Sequence, residues 1–277
     1  LRELIEAPTV EGLRAFLAES PAIASKQFAD GSWPLHFAAG NNNPDAIELL
    51  IRAGASKHPK YAKSAHTALS WAVTCWSFGA ALKLIELGEE PDLFCASGLG
   101  LIDKVRAFWP NEKLRAHPSR TGSSRFPDTG ERLCCPPEND QDQVSDALYI
   151  ACRCGQREVS RFLLEHGADP NFRGYSGATC LAWAEFSGDP NLPVLLRQYG
   201  ASDEILDQSY KSKPKVFALM LPAGWGFPLA HLRKRLDANP ELVHTRSEWG
   251  TLPHAAAQGG GPDRPKLQRP NRRRSRP

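Results

Sequence analysis

No stretch of this 277-residue chain approaches the roughly 18 consecutive apolar residues that a helical membrane span needs, so no such span is expected. The first segment carries Glu3, Glu6 and Glu11 and lacks the basic-then-apolar order of a secretory signal. The cytoplasm is therefore the expected compartment. A disulfide framework is missing too: the seven cysteines, at 75, 95, 134, 135, 152, 154 and 180, are odd in number and scattered, which points to reduced thiols. The glycines at 259, 260 and 261 run into Pro262, with no Lys-Ser or Lys-Thr and no preceding strand, so there is no phosphate loop. Carboxylates do not converge, since Glu89, Glu90 and Asp92 follow one helix exit while Glu138, Asp140 and Asp142 fall in an irregular segment. His36 is echoed by His254, yet no serine, cysteine or carboxylate recurs at a fixed distance to complete a triad. Cys134, Cys135, Cys152 and Cys154 are enough in number for zinc, but an adjacent pair and a C-x-C pair are not the arms of a tetrahedral site. No catalytic, cofactor or metal residue is assigned, and neither an enzyme nor a small-molecule substrate is expected.

What is present is the composition of a folded protein, 41% hydrophobic and 23% charged. The net charge of +3 is misleading. Residues 262–277 hold seven Arg or Lys against one Asp, a local +6, which leaves about −3 for the rest. Basicity belongs to the tail and not to the fold.

Periodicity decides the architecture. Residues 31–56 read as a turn, a short apolar helix, a loop and a second helix ending at Gly54. Asn43 can cap that second helix with Pro44 in its first turn, and Ala46, Ile47, Leu50 and Ile51 recur at three and four to form one buried stripe. Leu35 and Leu69 are 34 apart, and Leu148 and Leu181 are 33 apart. Residues 155–171 and 188–202 repeat the second helix and its exit turn, with Asp189 and Pro190 as cap and first turn of the latter. Each unit is a pair of antiparallel helices with a protruding turn, too small to bury its apolar face alone, so neighbours must stack.

Trp33-Pro34-Leu35-His36, Thr67-Ala68-Leu69-Ser70, Asp146-Ala147-Leu148-Tyr149 and Thr179-Cys180-Leu181-Ala182 resemble the Thr-Pro-Leu-His opening of the ankyrin repeat family. Gly167-Ala168-Asp169-Pro170-Asn171 resembles its exit turn, and 250–260 resembles an opening with Pro and Leu exchanged. Residues 13–24 and 232–243 share Leu, Arg, Leu and Pro at an offset of 219. The resemblance covers about two thirds of the chain and implies an all-α, ankyrin-like helical repeat solenoid. It places His36 at a first-helix start, where its ring bonds backbone of adjacent turns. Trp33 departs from the pattern: it replaces the threonine that ties the turn, so ring packing must hold that finger.

The expected organisation is repeats over 1–108, a Pro-rich insertion or linker over 109–143, two better-formed repeats over 144–202, an irregular connector over 203–226, a degenerate or incomplete terminal repeat over 227–261, and the basic tail 262–277. Residues 98–108 resemble an opening helix by hydrophobicity only. The insertion divides the array into roughly 1–108 and 144–261, halves that can still stack into one solenoid, and it is expected to interrupt coupling between them and to broaden unfolding.

The resemblance implies a non-catalytic protein interaction scaffold whose concave side, of turn tips and first helices, meets a partner. The positions falling there are Lys60, Tyr61, Lys63, His66, Arg153, Phe172, Arg173, Tyr175 and Phe186. Aromatic and arginine side chains anchor contacts at low entropic cost, and the group favours an unidentified protein partner with acidic patches. The alternatives are nucleic-acid or acidic-surface association through the arginine-rich tail and a regulatory or substrate-recruiting fragment of a larger enzyme. Limited proteolysis is predicted to cut first between residues 115 and 132; first cuts inside 155–202 would contradict the division drawn here.

Overall fold

The computed structural model describes residues 1–57 except 8 and 30, 66–122, 136–174, 179–202 except 186 and 188, and short pieces between 236 and 251. In the described residues helices come in pairs: α1 (Arg2–Glu6) with α2 (Glu11–Glu19), α3 (Pro34–Gly40) with α4 (Pro44–Arg52), α5 (Ala68–Thr74) with α6 (Phe78–Glu86), α7 (Leu93–Leu99) with α8 (Ile102–Arg106), α9 (Asp140–Cys154) with α10 (Arg157–Glu165), and α11 (Cys180–Ala184) with α12 (Asn191–Gln198). The first helices pack on one another in the order α1, α3, α5, α7, α9, α11. The second helices flank them as α2, α4, α6 and as α8, α10, α12. One apolar cluster runs from Ile5 to Leu196 without interruption, so the architecture is an all-α solenoid. Strand pairing among the described residues is limited to an Arg173–Thr179 bridge and to β1 (Arg246–Ser247) opposite β2 (Gly250–Thr251).

Local chemistry explains the elements. Asn43 Oδ1 accepts from the Ala46 amide at 3.0 Å, while its Nδ2 donates to the Ile5 carbonyl at 2.8 Å, joining one repeat to the preceding one. Pro44 opens α4, Ala46, Ile47 and Leu50 are fully buried, and Gly54 ends the unit at φ +93°. Burying each large aliphatic contributes about 1.5 to 3 kcal/mol, well above the few tenths that propensity supplies. Thr67 and Ser70 form a reciprocal capping box on α5, whereas Trp33 makes no side-chain cap on α3. At the other end of the chain, Pro240–His244 forms a 3-10 turn at the same offset of 219 from the 3-10 turn at Pro21–Ser25.

Three boundaries differ from expectation. Counting from the repeat at 31–56, the opening helix of the third repeat is α7, capped by Asp92, and not 98–108; the latter stretch holds the end of α7 and all of α8. Four positions separate Gly88 from Asp92, against thirteen from Gly54 to Thr67, so the finger is cut short and the spacing to the next opening falls outside 33 or 34. The stretch 109–143 is not uniformly irregular either. Asn139 Oδ1 accepts from the Asp142 amide at 2.7 Å and starts α9 at Asp140, so Asp146 lies inside the helix and not at its opening. In α12, Asp189 Oδ1 accepts from the Asn191 amide at 3.0 Å and the helix begins one residue later than read from the sequence.

The helices on either side of the insertion stack on one another, since α7 packs directly on α9. Gly98 permits this approach: a Cβ there would collide with Val73 Cγ1 and stand 3.0 Å from Ile150 Cγ1. Arg115 and Arg120 lie in a described stretch where the Arg115 amide donates to the Phe108 carbonyl and the Arg120 amide to Asp92 Oδ2, both at 2.8 Å, which disfavours cleavage at these two residues. The α7–α9 packing lets nearest-neighbour coupling run from the third repeat into the fourth, which would narrow the broad transition that the insertion alone leads one to expect. Gly98→Val should lower stability by about 1 to 3 kcal/mol through overpacking, seen as a lower denaturant midpoint by tryptophan fluorescence. An unchanged midpoint would show that the helices do not approach so closely.

Candidate functional site

Three of the nine residues expected to face a partner are internal. His66 is buried, with its Nδ1 3.0 Å from Ser70 Oγ and its ring against Trp71 and Phe94 at centroid distances of 5.7 and 6.4 Å. Arg153 is buried in the last turn of α9, with its guanidinium 4.1 Å over the Trp76 ring and 4.8 Å over that of Trp183. The Trp76 indole N–H donates to the Arg153 carbonyl at 3.3 Å, and that of Trp183 donates to Tyr149 Oη at 2.9 Å. The reach from Trp76 to Arg153 crosses α7, whose run Cys95-Ala96-Ser97-Gly98 offers only small side chains. Phe172 is also buried, below the finger, and its carbonyl accepts from the Cys180 thiol at 3.8 Å. Arg173 is half-buried and paired across the finger with Thr179. Lys60, Tyr61, Lys63, Tyr175 and Phe186 lie outside the described residues.

The sequence did not point to the site built around Asp92. Its Oδ1 accepts from the Cys95 amide at 2.9 Å, capping α7, while Oδ2 accepts from the amides of Arg120 at 2.8 Å and Thr121 at 3.2 Å and from Thr121 Oγ1 at 3.4 Å. The Leu93 amide donates to the Pro118 carbonyl at 2.9 Å. On the other side, the amides of His117 and Ser119 donate to Asp140 Oδ1 at 3.2 Å and Gln143 Oε1 at 3.0 Å, both on α9. His117 holds a left-handed φ of +51°, a strain of about 1 to 3 kcal/mol that these bonds maintain. The returning segment thus fills the place left by the short third finger. Between them opens a cleft of about 430 Å³, lined by Glu90, Pro91, Lys104, Phe108, Arg115 and Arg120 among others. Only the Asp92-Leu93-Phe94-Cys95 opening could have signalled it, at an unusual spacing.

Of the five described cysteines, Cys75 is half-buried and the other four, Cys95, Cys152, Cys154 and Cys180, lie inside. Burial, reinforced by the Asp92 carboxylate, pushes the Cys95 thiol well above its ordinary range; burial and the neighbouring Cys152 do the same to Cys180. Neither is a nucleophile at neutral pH. Cys134 and Cys135 lie outside the described residues, among which no group of three or more His, Cys, Asp or Glu could hold a metal ion. Likewise, no helix among them is long and apolar enough to cross a membrane.

His36 has the structural place expected of it: buried at the start of α3, with Nε2 donating to the His66 carbonyl at 2.8 Å. Burial lowers its pKa, and the bond to His66 opposes that shift only in part. Because the folded value lies below the unfolded one, unfolding takes up a proton in the interval between them, and stability falls as pH drops below about 6.5. Above that value the group adds no pH dependence. His36→Gln, which keeps a donor without the titration, should flatten the loss of stability between about pH 7.5 and about pH 5.5 in chemical denaturation. An identical slope in parent and variant would contradict the assignment.

The ankyrin repeat profile matches residues 30–60 and 146–175. A Treponema pallidum (strain Nichols) protein named for ankyrin repeats is 43% identical over 72 residues, a match covering 24% of this chain and 24% of that protein's length. The crystal structure of the human ASB11 ankyrin repeat domain aligns with a TM-score of 0.42 and 18% identity, over 73% of this chain and 83% of its own. A chain from the structure of the Bdellovibrio bacteriovorus predatory endopeptidase Bd0816 in complex with the immunity protein Bd3460 aligns with a TM-score of 0.42 and 18% identity, over 71% and 96% respectively. With stacked helix pairs, Thr-capped openings and two segments matched to the repeat itself, the chain contains ankyrin repeats, matched by the family model at residues 30–60 and 146–175.

Proposed function

We propose that this chain is a non-catalytic scaffold that holds a partner protein along its finger side, with contacts from finger tips and from those first-helix positions that remain open. An ankyrin array is in general a framework for protein–protein contact and typically non-catalytic. The observation that carries the reading is where the reactive groups lie: the thiols of Cys95, Cys152, Cys154 and Cys180 and the His36 ring are all taken up in packing between repeats. Such a molecule offers a partner shape, charge and aromatic surface instead of a reacting atom.

Arg173 is the described member of the expected contact set that remains half-exposed, and its antiparallel bridge to Thr179 fixes the base of its finger. Lys60, Tyr61, Lys63, Tyr175 and Phe186 complete the proposed set on sequence grounds. Basic residues among them favour acidic patches on the partner. A second reading follows from charge: the +6 of residues 262–277 suits phosphate contacts without base discrimination, and retention by this route must fall steeply with salt.

Photo-crosslinking distinguishes these readings. A benzophenone side chain at Arg173 should capture a defined protein from the source lysate, and the same probe at exposed Val194 on α12 should not. Deleting 262–277 should leave that capture intact. Equal capture from both positions would sink the finger assignment, and loss on tail deletion would move the binding function to the tail.

A further inference from the structure

We propose that the cleft between the short third finger and the returning segment 115–120 binds an acidic peptide segment of a partner protein, a site made by this chain's insertion and resting on the reading of the array as a partner-binding scaffold. The cleft measures about 430 Å³, a volume in the range of sites that enclose several side chains. Its apolar walls are Pro91, Ala107, Phe108 and Pro118, and Lys104, Arg115 and Arg120 supply cationic groups around it.

The balance of charge favours an anionic occupant. Of the two lining carboxylates, Asp92 is buried and its oxygens accept four donors from Cys95, Arg120 and Thr121, so it is already committed to holding the walls. Glu90 is 82% exposed and reaches Lys104 only at 3.8 Å, a pairing that contributes little and is easily exchanged. Arg115 is exposed, with its guanidinium 5.9 Å from the centroid of the Phe108 ring. Arg120 donates to the Glu90 carbonyl and is otherwise exposed.

Carboxylate fits better than phosphate. A phosphate cradle uses several convergent backbone amides, but here the amides of Arg115, His117, Arg120 and Thr121 are bonded to Phe108, Asp140 and Asp92. Recognition is left to separated side-chain cations over apolar walls, which suits Asp or Glu side chains on an extended peptide. The chain's own C-terminal tail, with a local charge of +6, has the wrong sign to occupy the cleft.

The test is fluorescence anisotropy of the full chain with a labelled poly-glutamate peptide, and with a poly-glutamine peptide of equal length as control. Binding of poly-glutamate alone is expected, weakened more than tenfold by the Lys104→Ala, Arg115→Ala double variant and by Arg115→Glu. Both side chains are exposed, so unchanged thermal melting will confirm that the variants fold. Arg52→Ala, removing an exposed cation on α4, and deletion of 262–277 should leave affinity unchanged. Equal binding by parent and double variant, equal weakening by Arg52→Ala, or loss on tail deletion overturns the cleft. Displacement of the peptide by inorganic phosphate as readily as by free poly-glutamate also overturns it, by showing a general anion site. If the Arg173 crosslinker captures nothing while poly-glutamate binding follows the cleft variants, the finger reading fails and the cleft stands; the reverse result removes the cleft alone.

Discussion

The close approach of α7 to α9 is the constraint on which the rest of the array depends. A solenoid is stable only where neighbours bury each other's apolar faces, and this one must do so across an interruption of some forty residues between the two helices. Gly98 makes the approach sterically feasible by offering no Cβ to Val73 or Ile150. The Gln156 side chain then donates to the Gly98 carbonyl at 3.2 Å, so the contact is polar at its edge as well as apolar at its centre. On the outer column, Trp109 packs edge-on to Phe162 at 5.2 Å and to His166 at 5.1 Å, binding the exit of the third repeat to the second helix of the fourth. Closing the loop between the two costs little more than a shorter loop would, because loop-closure entropy grows only logarithmically with length.

Asp92 converts that seam into a shaped surface. An N-cap aspartate ordinarily satisfies one or two amides of its own helix, and a change to alanine there costs about 0.5 to 2 kcal/mol. Here one oxygen caps α7 while the other receives the returning backbone at Arg120 and Thr121. The returning chain is fixed on its far side by Asp140 and Gln143, both of which belong to the turns that lengthen α9 beyond the repeat pattern. A short finger, a long first helix and a docked segment are therefore one compensated change, since each fills space or satisfies amides that another leaves open.

Much of this was legible in the sequence, and what was not has a physical reason. The first and fourth repeats announced themselves because Asn43, Pro44 and Gly54, and again Gly155 and Gly167, sit where helix ends demand special backbone or a missing donor. His36 was correctly placed because its role depends on one local spacing. The third repeat escaped because its opening is recognised by distance from the previous one, and a truncated finger removes that ruler. Arg153, Phe172 and His66 looked like surface contacts because position within a repeat says which side of a helix a residue takes, but not what reaches over it from two repeats away. The Asp92 cleft draws on residues from 90 to 120 brought together by tertiary hydrogen bonds, for which no periodic pattern exists.

The burial of Arg153 bears on where a partner can be held. Stacking on Trp76 and Trp183 contributes about 2 kcal/mol when desolvated, while its Nε has no hydrogen-bond partner among the described residues. What it does is occupy space over α7, where that helix carries no large side chain of its own. The three rings and the guanidinium of Trp76, Tyr149, Trp183 and Arg153 pack together, with Trp76 and Tyr149 fully buried. Under the proposed function, a partner would find these four side chains buried and not open to contact. The proposed contacts would then lie toward the finger edge, where Arg173 is half-exposed and where the short third finger opens beside Lys104, Arg115 and Arg120.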